Sequence, residues 1–288
     1  MTWAVFAPAV LTLGLSLLVG WRGPHLHPAW SAKILLSAAV VTALAVLGTL
    51  ALVVTVFILG ALPTRLIAAI PGAGALEAHG PVTVSLGVTA SGVFAMILVA
   101  TALFLARTAR ERVAVRHDST ALLETGEPIA AAIPGRHGGV IVSKGLLRLL
   151  GPRELQAVFQ HERAHLRHRH HLYLTVSAFV VQIIPPMARL HETLRFHLER
   201  WADEEAAEAV NDRALVARAI ARVALARPTQ TLPYPGAANF HVVERVRALL
   251  SPPPSKNLLA GPVALSGAVV TTAIATASLQ LHHLSLLL

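Results

Sequence analysis

The chain contains no cysteine. That excludes a disulfide scaffold, a zinc ribbon, an iron–sulfur cluster and a thiol nucleophile, so any metal centre has to be built from His, Asp and Glu. Charge is also scarce. Only 14% of the 288 residues are Asp, Glu, Lys or Arg, against about 25% in soluble domains. With 55% hydrophobic residues and a mean hydropathy of +0.62, this excludes a disordered chain, a collagen-like fibre and an ordinary cytosolic enzyme. The scarcity is uneven. Residues 1–106 hold three basic residues, Arg22, Lys33 and Arg65, and one acid, Glu77, while residues 257–288 hold none of either sign. The net charge of +9 therefore belongs mostly to a polar middle between two hydrophobic ends. No nucleic-acid-binding motif accompanies it, and no direct contact with nucleic acid is expected.

A bilayer core about 30 Å thick needs roughly 20 apolar residues of helix. Four uncharged stretches meet that length: Met1–Trp21, Ile34–Leu62, Val82–Ala106 and Leu258–Leu281. The first lacks the basic n-region and A-x-A site of a cleaved signal peptide and reads as a retained span. Arg22 and Lys33 follow the first span, and Arg107, Arg110, Arg112 and Arg116 follow the third; Pro63–Pro81 sets only Arg65 against Glu77. Basic flanks face the cytoplasm. The expectation is a multi-pass protein of the plasma membrane with its N-terminus outside. Residues 1–106 form three transmembrane helices, 107–257 a cytoplasmic domain, 258–281 a fourth span and 282–288 a short extracellular tail.

Within the polar middle, Gly138-Gly139 precede the β-branched run Val140-Ile141-Val142. Ser143 has the character of a helix N-cap, and Pro152 suits a first helical position. The helix begun by Pro152 carries His161-Glu162-Arg163-Ala164-His165. His161 and His165, at i and i+4, share one helix face and can both bind one zinc ion. Glu162 lies about 100° around the helix, poorly placed as a ligand but able to act as a general base on a water beside the metal. This is the H-E-x-x-H pattern. Downstream, Glu199 and Asp203 are again four apart. Glu199 supplies a third ligand and leaves a fourth position to water, and Asp203 suits an acceptor for a ligand imidazole's second N–H. Glu204, Glu205 and Glu208 read as a solvated face, His168, His170 and His171 as exposed or interfacial, and Trp201 as core packing.

The paired motif, His161-Glu162-Arg163-Ala164-His165 followed by Glu199-Arg200-Trp201-Ala202-Asp203, resembles the HExxH…ExxxD pattern of membrane-anchored gluzincin peptidases. These include HtpX-like proteases and, closer in layout, the BlaR/MecR-type sensor-transducers. Val140-Ile141-Val142-Ser143-Lys144-Gly145-Leu146-Leu147 and Glu154-Leu155-Gln156-Ala157-Val158 are similar to the second group. Two departures stand out. HtpX-like sequences often carry an Asp five residues after the second motif His, where this chain has His170, and the receptors' extracellular penicillin-binding domain has no counterpart before Leu288. The resemblance implies a mainly α fold: a multi-pass helical membrane protein with a cytoplasmic gluzincin-type metallopeptidase domain carrying a small β element. It implies one Zn2+ ion on His161, His165 and Glu199, with Glu162 as the catalytic base. It further implies an edge strand at Val140, Ile141, Val142 and Ser143 that aligns the substrate backbone. The partners implied are the lipid bilayer and a cytoplasmic protein substrate such as a winged-helix transcriptional repressor. An HtpX-like quality-control protease is the alternative, and a non-hydrolytic, zinc-stabilised signalling or binding protein is the alternative of another class. Tyr234, His241 and several Arg are equivalent candidates for a second oxyanion donor.

The apolar stretch Leu172–Met187 is constrained by the metal. A single crossing there would put His165 and Glu199 on opposite membrane faces, which ligand bonds of about 2.0–2.2 Å forbid. The stretch is expected to be an interfacial helix, a buried core helix or a re-entrant hairpin, broken by Pro185-Pro186. Further helices are expected at Arg189–Val210, Asp212–Arg227 and Phe240–Leu250.

Overall fold

The computed structural model describes residues 3–24, 26–63, 82–117, 122–135, 138–226 and 237–255. The expected span Leu258–Leu281 and most of Pro63–Pro81 lie outside the described residues. A 3-10 turn at Trp3–Phe6 leads into α1 (Ala7–Arg22), followed by the long helices α2 (Pro28–Gly60) and α3 (Val84–His117). Pro28–Gly60 and Val84–Arg110 are each long and apolar enough to cross a membrane. At 1.5 Å per residue, the 33 residues of α2 extend about 50 Å, well beyond a hydrocarbon core.

α1 packs on α2 through a stripe of small residues. Pro8, Thr12, Ser16 and Gly20 recur every four residues and are buried. Between two apolar helices, burial of Leu against Leu gains little over burial in lipid, so close approach and hydrogen bonds do the holding. Ser16 Oγ and Thr42 Oγ1 lie 2.8 Å apart, and Thr42 donates on to the Thr12 carbonyl at 3.1 Å.

The hairpin so formed carries the helix that holds the acidic half of the site. After α6 (His170–Ile183), a 3-10 turn at Pro185–Met187 reverses the chain into α7 (Ala188–Val210). Leu190, Leu194 and Leu198, one helical turn apart, are fully buried with Trp201 against Ala32, Leu35, Ala39 and Ala43 of α2. Thr193 Oγ1 donates to the Gly20 carbonyl at 2.7 Å. A Cβ on Gly20 would sit 2.9 Å from Leu190 Cα, whereas one on Gly14 meets nothing within 4 Å. Gly20→Ala is therefore expected to lower the thermal midpoint of the detergent-solubilised chain through overpacking worth roughly 1–3 kcal/mol. Gly14→Ala should leave that midpoint at or above wild type.

The stretch Leu172–Met187 is thus α6 plus the reversing turn. Its 14-residue helix is about 21 Å long and packs on α2, α3 and α7. Because the chain doubles back, His165 and Glu199 meet at the open end of one helical hairpin.

The β element is a three-stranded sheet in the order β1 (Leu122–Leu123), β3 (Gly139–Ser143), β2 (Ala130–Ile133). β1 runs parallel to β3, pairing Leu122 with Val142 and Leu123 with Ser143; β2 runs antiparallel to β3, pairing Ala130 with Val142 and Ala132 with Val140. Val140, Ile141, Val142 and Ser143 are therefore not the edge. The strand has neighbours on both sides, and Ile141, Val142 and Ser143 are buried, as befits the most β-branched of the three. The edges belong to the two-residue β1 and to β2, the longer of the two. The Ser143 N–H donates to the Ile129 carbonyl at 2.9 Å, so in an antiparallel ladder the Ala130 and Ala132 peptide groups point away from β3. Ser143 also caps the short helix α4 (Lys144–Leu149), its Oγ accepting from the Leu146 N–H at 3.0 Å, as expected from sequence.

α5 (Pro152–Arg167) starts at Pro152, with the Gly151 N–H donating to Glu154 at 2.9 Å. α8 (Arg213–Ala226) and α9 (Ala237–Leu250) complete the domain. Ala157 of α5 is buried with Ala206 and Ala207 of α7, Val216 and Ala217 of α8 and Leu249 of α9. Side chains this small let α5 and α7 approach closely, and that approach brings the two motifs together.

Candidate metal centre

His161 and His165 project from one face of α5, with their Nε2 atoms 3.1 Å apart. Glu199 of α7 meets both: its Oε2 lies 3.6 Å from His161 Nε2 and its Oε1 3.6 Å from His165 Nε2. The three side chains offer ligand atoms within 4.8 Å of one another. A tetrahedral ion with bonds of about 2.0–2.2 Å places its ligand atoms about 3.3–3.6 Å apart; the two histidine–carboxylate separations match that range and the 3.1 Å between the imidazoles falls slightly short of it.

The other ring nitrogens are also committed. Asp203 Oδ1 lies 3.0 Å from His161 Nδ1 and accepts its proton, which leaves the Nε2 lone pair for a metal. His165 Nδ1 lies 2.9 Å from His170 Nδ1. For His165 to present an Nε2 lone pair, its Nδ1 carries the proton and His170 accepts it. Once His161 gives up its second proton, two lone pairs and a carboxylate face one another, which is the donor chemistry of a zinc site.

His170 corrects an expectation. It is 1% exposed, neither exposed nor interfacial. The chain turns at Arg169, a non-glycine residue with φ of 52°, and this swings His170 back beneath the second ligand and against Trp201, 4.9 Å between ring centres. Its Nε2 is buried with no hydrogen-bond partner among the described residues. Burial, reinforced by the neighbouring His165 and His168, pushes its pKa down to about 3, so the ring stays neutral and can accept. Loss of such an outer partner typically costs 10–100-fold in metal affinity. His170→Phe, which fills the space without an acceptor, is expected to weaken zinc binding by that factor in chelator competition, and His170→Asn to retain most of it.

Glu162 faces the same space. Burial raises its pKa, although His161 and a hydrogen bond from the Ala132 backbone on the β2 edge act in the opposite direction. Sequence reasoning left the Arg residues undistinguished; the structure brings one of them, Arg245 of α9, into the site. Its Nε and Nη2 each reach an Asp203 oxygen at 2.7 Å and its Nη1 reaches Glu199 at 2.8 Å. Burial alone would favour a neutral Glu199, but the His161 hydrogen bond and the Arg245 charge hold its carboxyl well below the usual range. Asp203 is likewise held ionised, chiefly by Arg245, against burial. His161, despite burial, is pushed up to about 10 by hydrogen bonds to Asp203 and Glu199. His165 falls to about 4 through burial and the His161 charge. Of the two motif histidines, His161 is therefore the one that carries the extra proton without metal.

The remaining candidates are elsewhere. His241 lies 4.0 Å from Glu192 and stacks on Phe196, and Tyr234 lies outside the described residues. The acidic run is not all solvated. Glu204 is buried and paired with Arg213 and Arg200, and Glu205 is held by Arg167, His168 and the Trp201 indole N–H; only Glu208 is exposed. Trp201 is a core residue, as expected.

A model of Peptidase family M48 matches residues 105–195, a stretch that takes in both motif histidines and Glu162 and stops short of Glu199. A "Protease HtpX homolog" of Burkholderia mallei (strain SAVP1) is 39% identical over 70 residues, covering 23% of this chain and 24% of the relative. One of Thermodesulfovibrio yellowstonii is 38% identical over 55 residues, covering 19% of this chain and 20% of the relative. The chain thus spans about a quarter or less of the length of the curated relatives it matches. No solved structure matches. Over the matched stretch the chain is similar to membrane metallopeptidases of the M48 and HtpX kind, which supports the HtpX side of the resemblance.

Proposed function

We propose that this chain is a membrane-anchored, zinc-dependent endopeptidase that cleaves a polypeptide at the cytoplasmic face of the plasma membrane. The observation that carries the reading is the convergence of His161 Nε2, His165 Nε2 and Glu199 beside an ionisable Glu162, next to an open strand edge. His161, His165 and Glu199 would hold the ion, which when bound supplies Lewis-acid polarisation of a carbonyl and acidifies a water. Glu162 takes a proton from the attacking water and returns it to the departing amine. Asp203 and His170 fix the two imidazoles in the ligating tautomer. An extended substrate adds to the outward peptide group of Ala130 and to the Ala132 carbonyl, in place of the Val140–Ser143 strand expected from sequence to align it. The relatives named as HtpX homologs favour an HtpX-type protease over a transducer that cleaves a winged-helix repressor.

The test uses the full chain in detergent micelles with casein and a mixed peptide pool. Cleavage is expected with zinc, is abolished by 1,10-phenanthroline and returns when zinc is restored. Zinc-loaded protein that binds the ion and cleaves nothing would favour the non-hydrolytic alternative.

A further inference from the structure

His170 carries an unanswered proton. With its Nδ1 accepting from His165 Nδ1 at 2.9 Å, the neutral ring holds its own hydrogen on Nε2, and that atom is buried with no hydrogen-bond partner among the described residues. A buried donor left unpaired disfavours the tautomer that creates it. Three rings surround it. His168 lies nearly parallel to His170, at 25° and 5.8 Å between centres, so an in-plane N–H cannot aim at its face. Tyr173 stands at 77° but 6.2 Å away. Trp201 is the nearest, at 4.9 Å and tilted by 51°. Trp presents the most electron-rich face of any side chain, and an N–H can donate to such a face. The indole is also fixed in place. Trp201 continues the buried stripe Leu190, Leu194 and Leu198 against α2, and its Nε1–H donates to Glu205, one helical turn on, at 3.2 Å.

We propose that Trp201 is a positioning residue of the metal centre: its ring face accepts the His170 Nε2–H and so holds His165 in the tautomer that ligates. The inference rests on the zinc reading of His161, His165 and Glu199 and deepens it. Without the ring, His170 is relieved of its orphan donor by moving the proton to Nδ1. That Nδ1–H then donates to His165 Nδ1, and the His165 proton goes to Nε2, the atom that has to face the ion. Trp201 therefore acts on the ligand through His170 and touches neither metal nor substrate. A packing role asks only for apolar volume at this position. The role assigned here asks for a π face.

The experiment measures zinc affinity of the full chain in detergent micelles, by chelator competition, for Trp201→Phe and Trp201→Met. Both variants lose the bond to Glu205 and some volume, and only Phe keeps a π face. Zinc binding is expected to stay within about threefold of wild type in Trp201→Phe and to weaken about 10–100-fold in Trp201→Met, the effect of losing an outer partner of a ligand. In a His170→Asn background, which has no imidazole tautomer to lose, Trp201→Met should change affinity by less than about threefold, because the two substitutions act on one link. Equal weakening in the Phe and Met variants, or the same loss with and without His170, overturns the proposal and leaves Trp201 a packing residue. The tautomer is also read without altering Trp201, which serves if its variants do not fold. Proton–nitrogen correlation spectra of metal-free wild type with isotope-labelled histidine should show the His170 proton on Nε2, shifted upfield by the indole ring current and absent from His170→Asn. A His170 proton on Nδ1, or a Trp201→Met protein that binds zinc as wild type does, overturns this inference alone. A wild type that takes up no zinc overturns the metal-centre reading on which it rests.

Discussion

Zinc-loaded Glu162→Gln is expected to cleave peptides at least about a hundredfold more slowly than wild type while keeping its metal. General-base catalysis by a positioned carboxylate contributes roughly 10²–10⁴-fold, and among the described residues no second ionisable base is free to act at the site: His161 and His165 are committed as ligands, Asp203 is locked to Arg245, and Arg245 carries no free lone pair. Gln has the same shape and can still accept the Ala132 N–H through its carbonyl oxygen, so folding and the ligand set should survive. The check is single-turnover cleavage beside metal analysis of the same sample. Wild-type turnover in the variant would remove Glu162 from the mechanism, and loss of zinc together with activity would make its role structural.

The second large effect concerns Arg245. It is the counter-charge of two carboxylates, and Asp203 beneath it is 1% exposed. Arg245→Met strands these anions, and removal of one partner from a buried ion pair typically costs about 3–5 kcal/mol. Both folding stability and zinc affinity are expected to fall, measured by thermal unfolding in detergent and by chelator competition. The double variant Asp203→Asn with Arg245→Met should recover part of the stability lost in Arg245→Met, because the uncompensated charge at position 203 is removed. Equal loss in single and double variants would show that the pair is not coupled.

The same network sets the pH response. Asp203 has a folded pKa below its ordinary value, so its contribution to stability is present above the ordinary Asp range and is lost as pH falls through the depressed value. His161 behaves in the opposite sense. Its pKa of about 10 in the metal-free protein means that zinc must displace a proton at neutral pH. Zinc affinity is expected to rise about tenfold per pH unit between pH 7 and 9, with close to one proton released per ion bound. Calorimetry in buffers of different ionisation enthalpy reads that proton directly. No proton release would mean that His161 is already neutral in the metal-free site.

What the sequence made legible was local. The i, i+4 spacings of His161 with His165 and of Glu199 with Asp203 fix which side chains share a helix face, and Ser143 and Pro152 mark helix starts by their own chemistry. The long apolar runs likewise announced α2 and α3. What stayed hidden depends on contacts between distant segments. Arg245 is 42 residues from Asp203, and nothing in its immediate surroundings separates it from other arginines. His170 looked like one more polar residue in a basic stretch, because its burial follows from the reversal at Arg169 and the approach of Trp201. The strand edge was misplaced for a propensity reason: Val140-Ile141-Val142 has the strongest β character and lies inside the sheet, while the true edge, Ala130-Ala131-Ala132-Ile133, is alanine-rich and carries little strand signal. The pairing of Glu204 with Arg213 and Arg200 is another product of tertiary packing.

X-ray absorption at the zinc edge on the full-length protein tests the central claim most directly. The account predicts one zinc per chain, bound by two imidazole nitrogens and carboxylate oxygen at about 2.0–2.2 Å, with that signature lost in Glu199→Ala and in His161→Ala. A chain that takes up no zinc, or one whose zinc environment is unchanged by both substitutions, would contradict it.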